Sequence, residues 1–207
     1  MQRSHRGETI VLASNNAGKV REINQLLADT GIHCVPQGEY GVPEAEETGL
    51  TFVENAILKA RNAARHSGLP ALADDSGIEV DALNGAPGIY SARYAGAGAS
   101  DDDNLRRLLD ELARQPESDR SARFQCVMVY LGHAEDPTPL IAQGTWEGEI
   151  LPEPRGANGF GYDPVFYVPT HGCSAAELDA ATKNGLSHRG QALRRLHRLL
   201  ADGAPGE

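Results

Sequence analysis

Residues 9–27 read TIVLASNNAGKVREINQLL, and this stretch decides the class of fold. Residues 9–13 form a short apolar, β-branched run of the kind found in buried strands. After a polar loop, Val20, Ile23, Leu26 and Leu27 recur at helical spacing. The chain therefore opens with a strand, a glycine-containing loop and a helix, which favours an α/β fold.

The same mixture of periodicities continues along the chain. A helix is predicted over residues 51–67, where Thr51 and Glu54 have the spacing of a capping box. Two later helices are expected, one capped by Ser100 and one carrying the leucines near the end of the chain. Strands are predicted at residues 33–36, 71–73, 124–131 and 165–168, and a hairpin pair at 138–151. Because strands also follow one another directly, we expect a mixed β-sheet flanked by helices, with residues 124–131 central in it.

Composition limits the number of domains and the classes of partner that the chain can have. The 207 residues are 40% hydrophobic and 23% charged, which is enough for a real core. Without repeats or a clear linker, residues 1–207 are interpreted as a single domain. Acidic residues outnumber basic ones 29 to 19, so the net charge is −10. Such a chain is a poor candidate for binding nucleic-acid polymers or anionic membranes, and an anionic ligand would need local donors or a metal.

Cysteine usage and the leading residues point to the cytoplasm. Cys34, Cys126 and Cys173 lie far apart without metal-ligand spacing, which favours free thiols in a reducing compartment. The apolar run at residues 9–13 is too short for the core of a signal peptide. We therefore expect a soluble, cytoplasmic protein.

A polar loop at residues 14–19 is the first candidate site. It joins a buried strand to a helix N-terminus, where backbone N–H groups and the helix dipole favour an anion and Lys19 adds a full charge. The stretch nearly matches the phosphate-binding GxxxxGK[ST] loop, but Ala13 and Val20 replace its first glycine and its hydroxyl residue. A P-loop phosphotransferase is therefore disfavoured, and an ordinary capped helix start remains an alternative.

Two acidic stretches form the second candidate site. Glu46 and Glu47 lie in a predicted loop, and Asp74-Asp75-Ser76-Gly77 is predicted to end a strand and enter a turn. Carboxylates placed in this way can converge on Mg²⁺, which keeps its other positions for water and phosphate oxygens. Because adjacent strand residues point to opposite faces, Asp74 and Asp75 should have different roles. A solvated acidic turn is the alternative.

Two further stretches suit a nucleotide. Residues 156–164, GANGFGYDP, place one phenylalanine among glycines, where its ring could stack on a nucleobase or fold back onto the protein. Residues 183–190, KNGLSHRG, place Lys183, His188 and Arg189 just before a predicted helix, where phosphate or a base carbonyl could be held. Taken alone, the second stretch is better explained as a charged helix start.

Together these motifs resemble the non-canonical purine nucleoside triphosphate pyrophosphatases, the inosine/xanthosine triphosphate pyrophosphatase family. The matching segments, between residues 9 and 200 and in the family's order, are SNNAGKVREI, EETGLTFVENAILKAR, ALADDSGIEVDALNGAPGIYSARYAG, GANGFGYDPVF and KNGLSHRGQAL. Ser14 stands where many members carry Thr, which keeps the hydroxyl group, and a short extension precedes residue 9.

The resemblance implies an elongated, two-lobed α/β subunit with a substrate cleft between the lobes, usually in a homodimer. It also implies Mg²⁺-dependent hydrolysis of ITP, dITP and XTP between the α- and β-phosphates, which releases the nucleoside monophosphate and pyrophosphate. Removing these nucleotides from the pool is the family's function. Base selectivity would come from a donor that favours the purine 6-carbonyl over the amino group of adenine.

By motif match, the resemblance also assigns roles to residues. Asp75 would be the base for the attacking water and, with Glu46, a metal ligand. Phe160 would stack on the purine. The substrate-binding residues would be Ser14, Asn15, Asn16, Ala17, Gly18, Lys19, Ser76, Phe160, Gly161, Tyr162, Asp163, Lys183, His188 and Arg189.

Two other functions are weighed against this one. A pyrophosphatase for modified pyrimidine triphosphates on a related fold is opposed by the long matches through GFGYDP and SHRGQAL. A non-catalytic nucleotide sensor would keep Lys19 and Phe160 but would not need both Glu46 and Asp75.

Overall fold

A computed structural model describes residues 9–28, 30–115 and 119–202. Its strands are β1 Thr9–Leu12, β2 His33–Pro36, β3 Ala71–Val80, β4 Ser121–Leu131, β5 Leu140–Ile150, β6 Phe166–Val168 and β7 Cys173–Ser174. Its α-helices are α1 Ala17–Leu27, α2 Phe52–Ser67, α3 Asp101–Ala113, α4 Ala180–Leu186 and α5 His188–Asp202. The predicted α/β class is confirmed.

The strands form one mixed sheet in the order β2-β1-β3-β4-β5-β6-β7. β1 pairs in parallel with both β2 and β3, whereas β6 pairs antiparallel with both β5 and β7. The fourth position of β4 confirms that residues 124–131 belong to a central strand. The mixture of directions is the one expected from strands that alternate with helices in one half of the chain and follow one another in the other half.

The chain divides into two compact units. The first comprises residues 1–75, 126–144 and 189–207, and the second comprises residues 76–125 and 145–188. Strands β3, β4 and β5 contribute residues to both units. Each unit has its own hydrophobic core.

The core of the first unit is built from strands β1, β3 and β4 and from faces of three helices. Helix α2 buries an alanine face, which lets its backbone lie close to the sheet. Thr51 caps this helix and Gly68 ends it in the left-handed conformation, as the sequence predicts. The leucines of α5 pack with Ile10 and Ile23.

The core of the second unit is rich in aromatic rings. Phe124 lies between the rings of Trp146, Phe166 and His188, with centroid separations of 6.3, 4.6 and 4.7 Å. Helix α3 begins with a capping box between Ser100 and Asp103. Its buried face carries the leucines predicted from the sequence, Leu105, Leu108 and Leu112.

The turn predicted at Asp74-Asp75-Ser76-Gly77 is wrong, because β3 runs through these residues without interruption. Ile78 and Val80 are fully buried and continue the strand beyond the carboxylates. Charged residues are tolerated inside a buried strand here because cationic side chains neutralise them. The two aspartates therefore lie in the middle of β3.

The hairpin predicted over residues 138–151 is also wrong, because β5 is a single strand of 11 residues. Gly148, one of its glycines, is explained by packing instead of a turn. A Cβ at this position would lie 2.6 Å from the ring of Phe166, so only glycine fits without a shift.

Lys183 was expected just before a helix, but it lies inside the short helix α4. Asp179 caps α4 by accepting a hydrogen bond from the Thr182 N–H group. This added helix leaves only His188 and Arg189 at the start of α5. In the described part of the chain, no helix is long and apolar enough to cross a membrane.

Candidate active site

The loop at residues 14–19 is shaped by its own side chains. The Ser14 hydroxyl accepts a hydrogen bond from the Asn16 N–H group at 3.1 Å. The side chain of Asn16 is the N-cap of α1 and accepts from the Lys19 N–H group at 3.0 Å. Since the first amides of a helix have no partner within it, this end of α1 has the geometry of an anion site.

The Lys19 side chain points from this loop to a buried aspartate. Its Nζ lies 2.6 Å from Asp74 Oδ1. Arg189 donates from Nε to Asp74 Oδ2 at 2.9 Å and from Nη1 to Glu22 Oε2 at 2.5 Å. The thiol of Cys126 donates to Asp74 Oδ2 at 3.2 Å. Asp74 therefore links two of the predicted phosphate-binding cations, Lys19 and Arg189.

The charges in this network explain the ionisation of Asp74. Burial alone would raise its pKa, but Arg189 and Lys19 outweigh that effect and hold the pKa well below its usual value. Burial, together with the same carboxylate, raises the pKa of the Cys126 thiol, which stays protonated and able to donate. Asp74 is thus an anion at neutral pH, and it fixes the positions of two cations.

Asp75 has a different set of partners, as the alternation of strand residues predicts. Lys59 Nζ lies 2.5 Å from Asp75 Oδ1 and 3.2 Å from Glu47 Oε1, and it donates to the Asp74 carbonyl oxygen at 3.0 Å. Burial raises the pKa of Asp75 even though Lys59 opposes the shift. A carboxylate with a raised pKa beside a cation is a suitable proton acceptor.

The acidic loop of residues 43–51 is held against α2. Asn55, which is buried in α2, accepts a hydrogen bond from the Gly49 N–H group at 2.8 Å. Glu54 accepts from the Leu50 N–H group at 2.9 Å. These contacts place Glu47 beside Lys59, whereas Glu46 is exposed.

The donor set fits a magnesium ion only in part. No group of three or more His, Cys, Asp or Glu side chains that could hold a metal is found among residues 9–28, 30–115 and 119–202. However, Glu47 and Asp75 already share one positive charge, the Lys59 ammonium group. Mg²⁺ commonly takes one or two protein carboxylates together with water and substrate phosphates, so the chemistry of this pair suits it.

A second group of predicted residues comes together in the second unit. Asp163 Oδ2 lies 2.6 Å from Lys183 Nζ and accepts a hydrogen bond from the Phe160 N–H group at 2.9 Å. Lys183 Nζ lies 5.2 Å from the centre of the Phe160 ring. The next N–H group, that of Gly161, donates to Asp101 Oδ2 at 2.8 Å. The half-buried ring is therefore supported by an ion pair and by its own backbone.

Two other predicted residues of this unit are buried by packing. The His188 ring stacks on Phe124 with an interplanar angle of 10°. The Tyr162 hydroxyl donates to the Ser91 carbonyl oxygen at 2.7 Å, and burial raises its pKa. Ser76 follows Asp75 on β3 and is half-buried.

The first unit thus brings Lys19 and Arg189 together at Asp74 and places Asp75 beside Lys59, and the second unit brings Phe160, Asp163 and Lys183 together. Sequence reasoning assigned no site role to four residues of these networks, Glu22, Lys59, Asp101 and Cys126, and it placed Asp74 in the acidic candidate site without giving it a role of its own. For two of them a signal was present. Lys59 lies between alanines of the buried face of α2, and Glu22 precedes Ile23 on the buried face of α1.

Comparison with known proteins identifies relatives over most of the chain. Residues 10–199 match the model of the Ham1 family. A dITP/XTP pyrophosphatase from Thioalkalivibrio sulfidiphilus is 66% identical over 89% of this chain and 94% of its own length. A dITP/XTP pyrophosphatase from Vibrio cholerae is 59% identical over 93% of this chain and 96% of its own length.

The fold matches an experimentally solved relative as well. A HAM1 protein from Coxiella burnetii superposes with a TM-score of 0.87 at 56% identity, covering 94% of this chain and 99% of that protein. The sequence and structural matches agree on one family.

Proposed function

This chain belongs to the Ham1 family, and from that premise we propose that it hydrolyses non-canonical purine nucleoside triphosphates. The substrates are ITP, dITP and XTP, and the products are the nucleoside monophosphate and pyrophosphate. The enzyme is a nucleoside triphosphate pyrophosphatase that removes these nucleotides from the pool. The observation that carries this function is the placement of Asp75, a buried carboxylate with a raised pKa beside Lys59 and Glu47.

The triphosphate is bound by the loop of residues 14–19. First-turn amides of α1 and the Lys19 ammonium supply positive charge, and the hydroxyl of Ser14 and the amides of Asn15 and Asn16 line the same loop. Asp74 fixes the direction of Lys19. Arg189 shares the same buried anion and adds positive charge that opposes the charge building on the departing pyrophosphate.

Asp75 accepts the proton of the attacking water. Its raised pKa brings it closer to the working pH, and Lys59 keeps the carboxylate oriented. Glu46 and Asp75 are the proposed Mg²⁺ ligands, and Glu47 contributes a further carboxylate beside Lys59. When bound, Mg²⁺ supplies positive charge that neutralises phosphate oxygens.

The purine is read by the residues of the second unit. Phe160 offers a ring face for stacking. The Lys183 ammonium group, paired with Asp163, lies over the same ring. Lys183, His188 or a backbone N–H donates to the 6-carbonyl group, which adenine lacks. Ser76, Gly161 and Tyr162 complete the substrate contacts.

Assembly and location complete the proposal. The subunits form a homodimer, and residues 1–207 act as one catalytic domain. The location is cytoplasmic, which is consistent with the three free thiols of Cys34, Cys126 and Cys173.

The test is pyrophosphate release from ITP, XTP, dITP, ATP, GTP and dTTP, each with Mg²⁺ and with or without EDTA. Strong release from the first three alone, lost with the chelator, is expected. Release from dTTP in place of the purine nucleotides would move the substrate class to pyrimidine triphosphates. Tight binding without release from any nucleotide would indicate a sensor.

A further inference from the structure

The backbone on both sides of the Phe160 ring is held by carboxylates. The Phe160 N–H group donates to Asp163, three residues further along the same loop. The Gly161 N–H group donates to Asp101, which lies 60 residues away in sequence. Of two successive amides, one is therefore held from within the loop and the other is held by helix α3.

This loop needs external fixation. Gly159 and Gly161 flank the ring with φ values of +76° and +61°, which glycine adopts without strain. A Cβ at position 159 would collide with the Asp163 carboxylate, so the glycine is also needed for close approach. Glycines on both sides give the ring two flexible neighbours, and a ring on a mobile backbone offers no fixed face to a base.

Asp101 is well placed to provide that fixation. It is the first residue of α3, and the capping box of Ser100 and Asp103 fixes the start of this helix. The buried leucines of α3 anchor the helix in the core of the second unit. The carboxylate of Asp101 therefore belongs to a rigid element, and its bond to the Gly161 amide is charge-assisted and short, at 2.8 Å.

We propose that Asp101 is a positioning residue for purine binding: it holds the Gly161 amide and thereby keeps the Phe160 ring in the orientation that stacks on the base. This role rests on the proposed function of the loop in binding the purine. Asp101 acts through the backbone and does not touch the substrate. The phosphate end of the substrate and the proton transfer at Asp75 do not depend on it.

The neighbouring residue supplies a matched control. Asp102 is exposed in the same first turn of α3, carries the same charge, and pairs with Arg106 instead of the loop. Alanine at position 101 or 102 removes the same charge from the same helix N-terminus. Only the change at position 101 releases the Gly161 amide.

The experiment compares Asp101→Ala, Asp101→Asn and Asp102→Ala with the unaltered enzyme. An amide oxygen can still accept from Gly161, so Asp101→Asn should rescue the contact. A lost charge-assisted hydrogen bond at an exposed site should raise the KM for ITP and the inhibition constant of inosine monophosphate roughly 3- to 10-fold. The inhibition constant of pyrophosphate, which has no base, and kcat should stay unchanged.

Hydrogen exchange of the Gly161 amide tests the hydrogen bond to Asp101 without a measurement of enzyme activity. Exchange should become faster in Asp101→Ala and stay slow in Asp101→Asn and Asp102→Ala. Unchanged exchange and unchanged KM in Asp101→Ala would overturn the positioning role, as would equal effects of Asp102→Ala or a matching loss of pyrophosphate inhibition. If the unaltered enzyme fails to hydrolyse ITP, the proposed function is wrong, and so is the role of Asp101 in purine binding. Hydrogen exchange would still measure the Asp101–Gly161 hydrogen bond separately.

Discussion

The two units differ in what surrounds their buried ion pairs. In the first unit, the carboxylates of Asp74 and Asp75 are neutralised by cations, with Lys19 and Arg189 on one and Lys59 on the other. In the second unit, rings dominate, and the buried ion pair of Asp163 and Lys183 lies against the Phe160 ring. The first unit is suited to polyanion chemistry and the second to recognition of a flat base.

This difference bears on how a chain of net charge −10 can bind a triphosphate. In the first unit three cations, Lys19, Lys59 and Arg189, are held in fixed positions by four carboxylates. The cluster therefore has no net positive charge, and a triphosphate would be bound by individually placed donors together with a metal ion. Such clusters are strong only when every member is paired, since an unpaired buried charge costs several kcal/mol. Substitutions in the first unit should therefore affect every triphosphate. Substitutions in the second unit should affect the binding of nucleotides but not of pyrophosphate, which has no base.

The largest effect is expected from Asp75→Asn. The amide cannot accept the proton of water, so kcat for ITP should fall by about 10³-fold or more while the nucleotide still binds. Steady-state hydrolysis and equilibrium binding of ITP measure the two parts. A kcat close to that of the unaltered enzyme would show that Asp75 is neither the base nor an essential ligand.

Asp74→Asn should damage the fold more than the chemistry. Removing this charge takes from Lys19 and Arg189 the carboxylate that they share and leaves Glu22 as the partner of Arg189, and breaking a buried pair in this way costs about 3–5 kcal/mol of unfolding free energy. Urea unfolding monitored by circular dichroism measures it. Asp81→Asn, which breaks a surface pair with Arg123, is the control and should cost far less.

Adjacent Asp74 and Asp75 should also give opposite pH dependences of stability. The lowered pKa of Asp74 contributes stability above the unfolded-state value of 3.8, and this contribution is lost as the pH falls toward the folded-state pKa. The raised pKa of Asp75 contributes stability below 3.8 that is lost as the pH rises through its folded-state pKa. Unfolding free energy measured from pH 2 to pH 7 in Asp74→Asn and Asp75→Asn separates the two. Equal slopes of unfolding free energy against pH in the two variants would contradict these opposite pH dependences.

A smaller effect is expected from Phe160→Ala in the second unit. Stacking on an aromatic ring is worth about 1–3 kcal/mol, so the KM of every purine substrate should rise roughly 5- to 160-fold. Inhibition by pyrophosphate should be unchanged. Tyr90→Ala, which removes an exposed ring of the same unit with no assigned role, is the control. An unchanged KM in a folded Phe160→Ala enzyme would remove the stacking role.

The smallest effects should distinguish two neighbouring glutamates. Glu46→Gln and Glu47→Gln each remove one carboxylate, and the Mg²⁺ concentration for half-maximal activity should rise in whichever variant loses a ligand. Lys59 lies beside Glu47, so Glu47→Gln should also alter the pH profile of activity through Asp75. Identical magnesium dependence in both variants and the unaltered enzyme would contradict the role of either glutamate as a ligand.

Much of the local structure was predictable because it depends on neighbours in sequence. The caps of α2 and α3, the buried leucines of α3 and the central strand all follow from residues a few positions apart. The errors came where distant residues decide. The hairpin expected over residues 138–151 is one strand, in which Gly148 packs against the Phe166 ring, and DDSG resembled a turn because its cationic partners were not visible.

The sequence by itself determined the class of fold, the family motifs and the residue types available for the chemistry. Only the tertiary structure decided which cationic side chain pairs with which carboxylate. Asp74 and Asp75 are neighbours, yet one pairs with Arg189, 115 residues away, and the other with Lys59 on α2. Strand alternation sends the two carboxylates to opposite faces, but the packing of the helices on those faces fixes their partners, and local spacing carries no information about that packing.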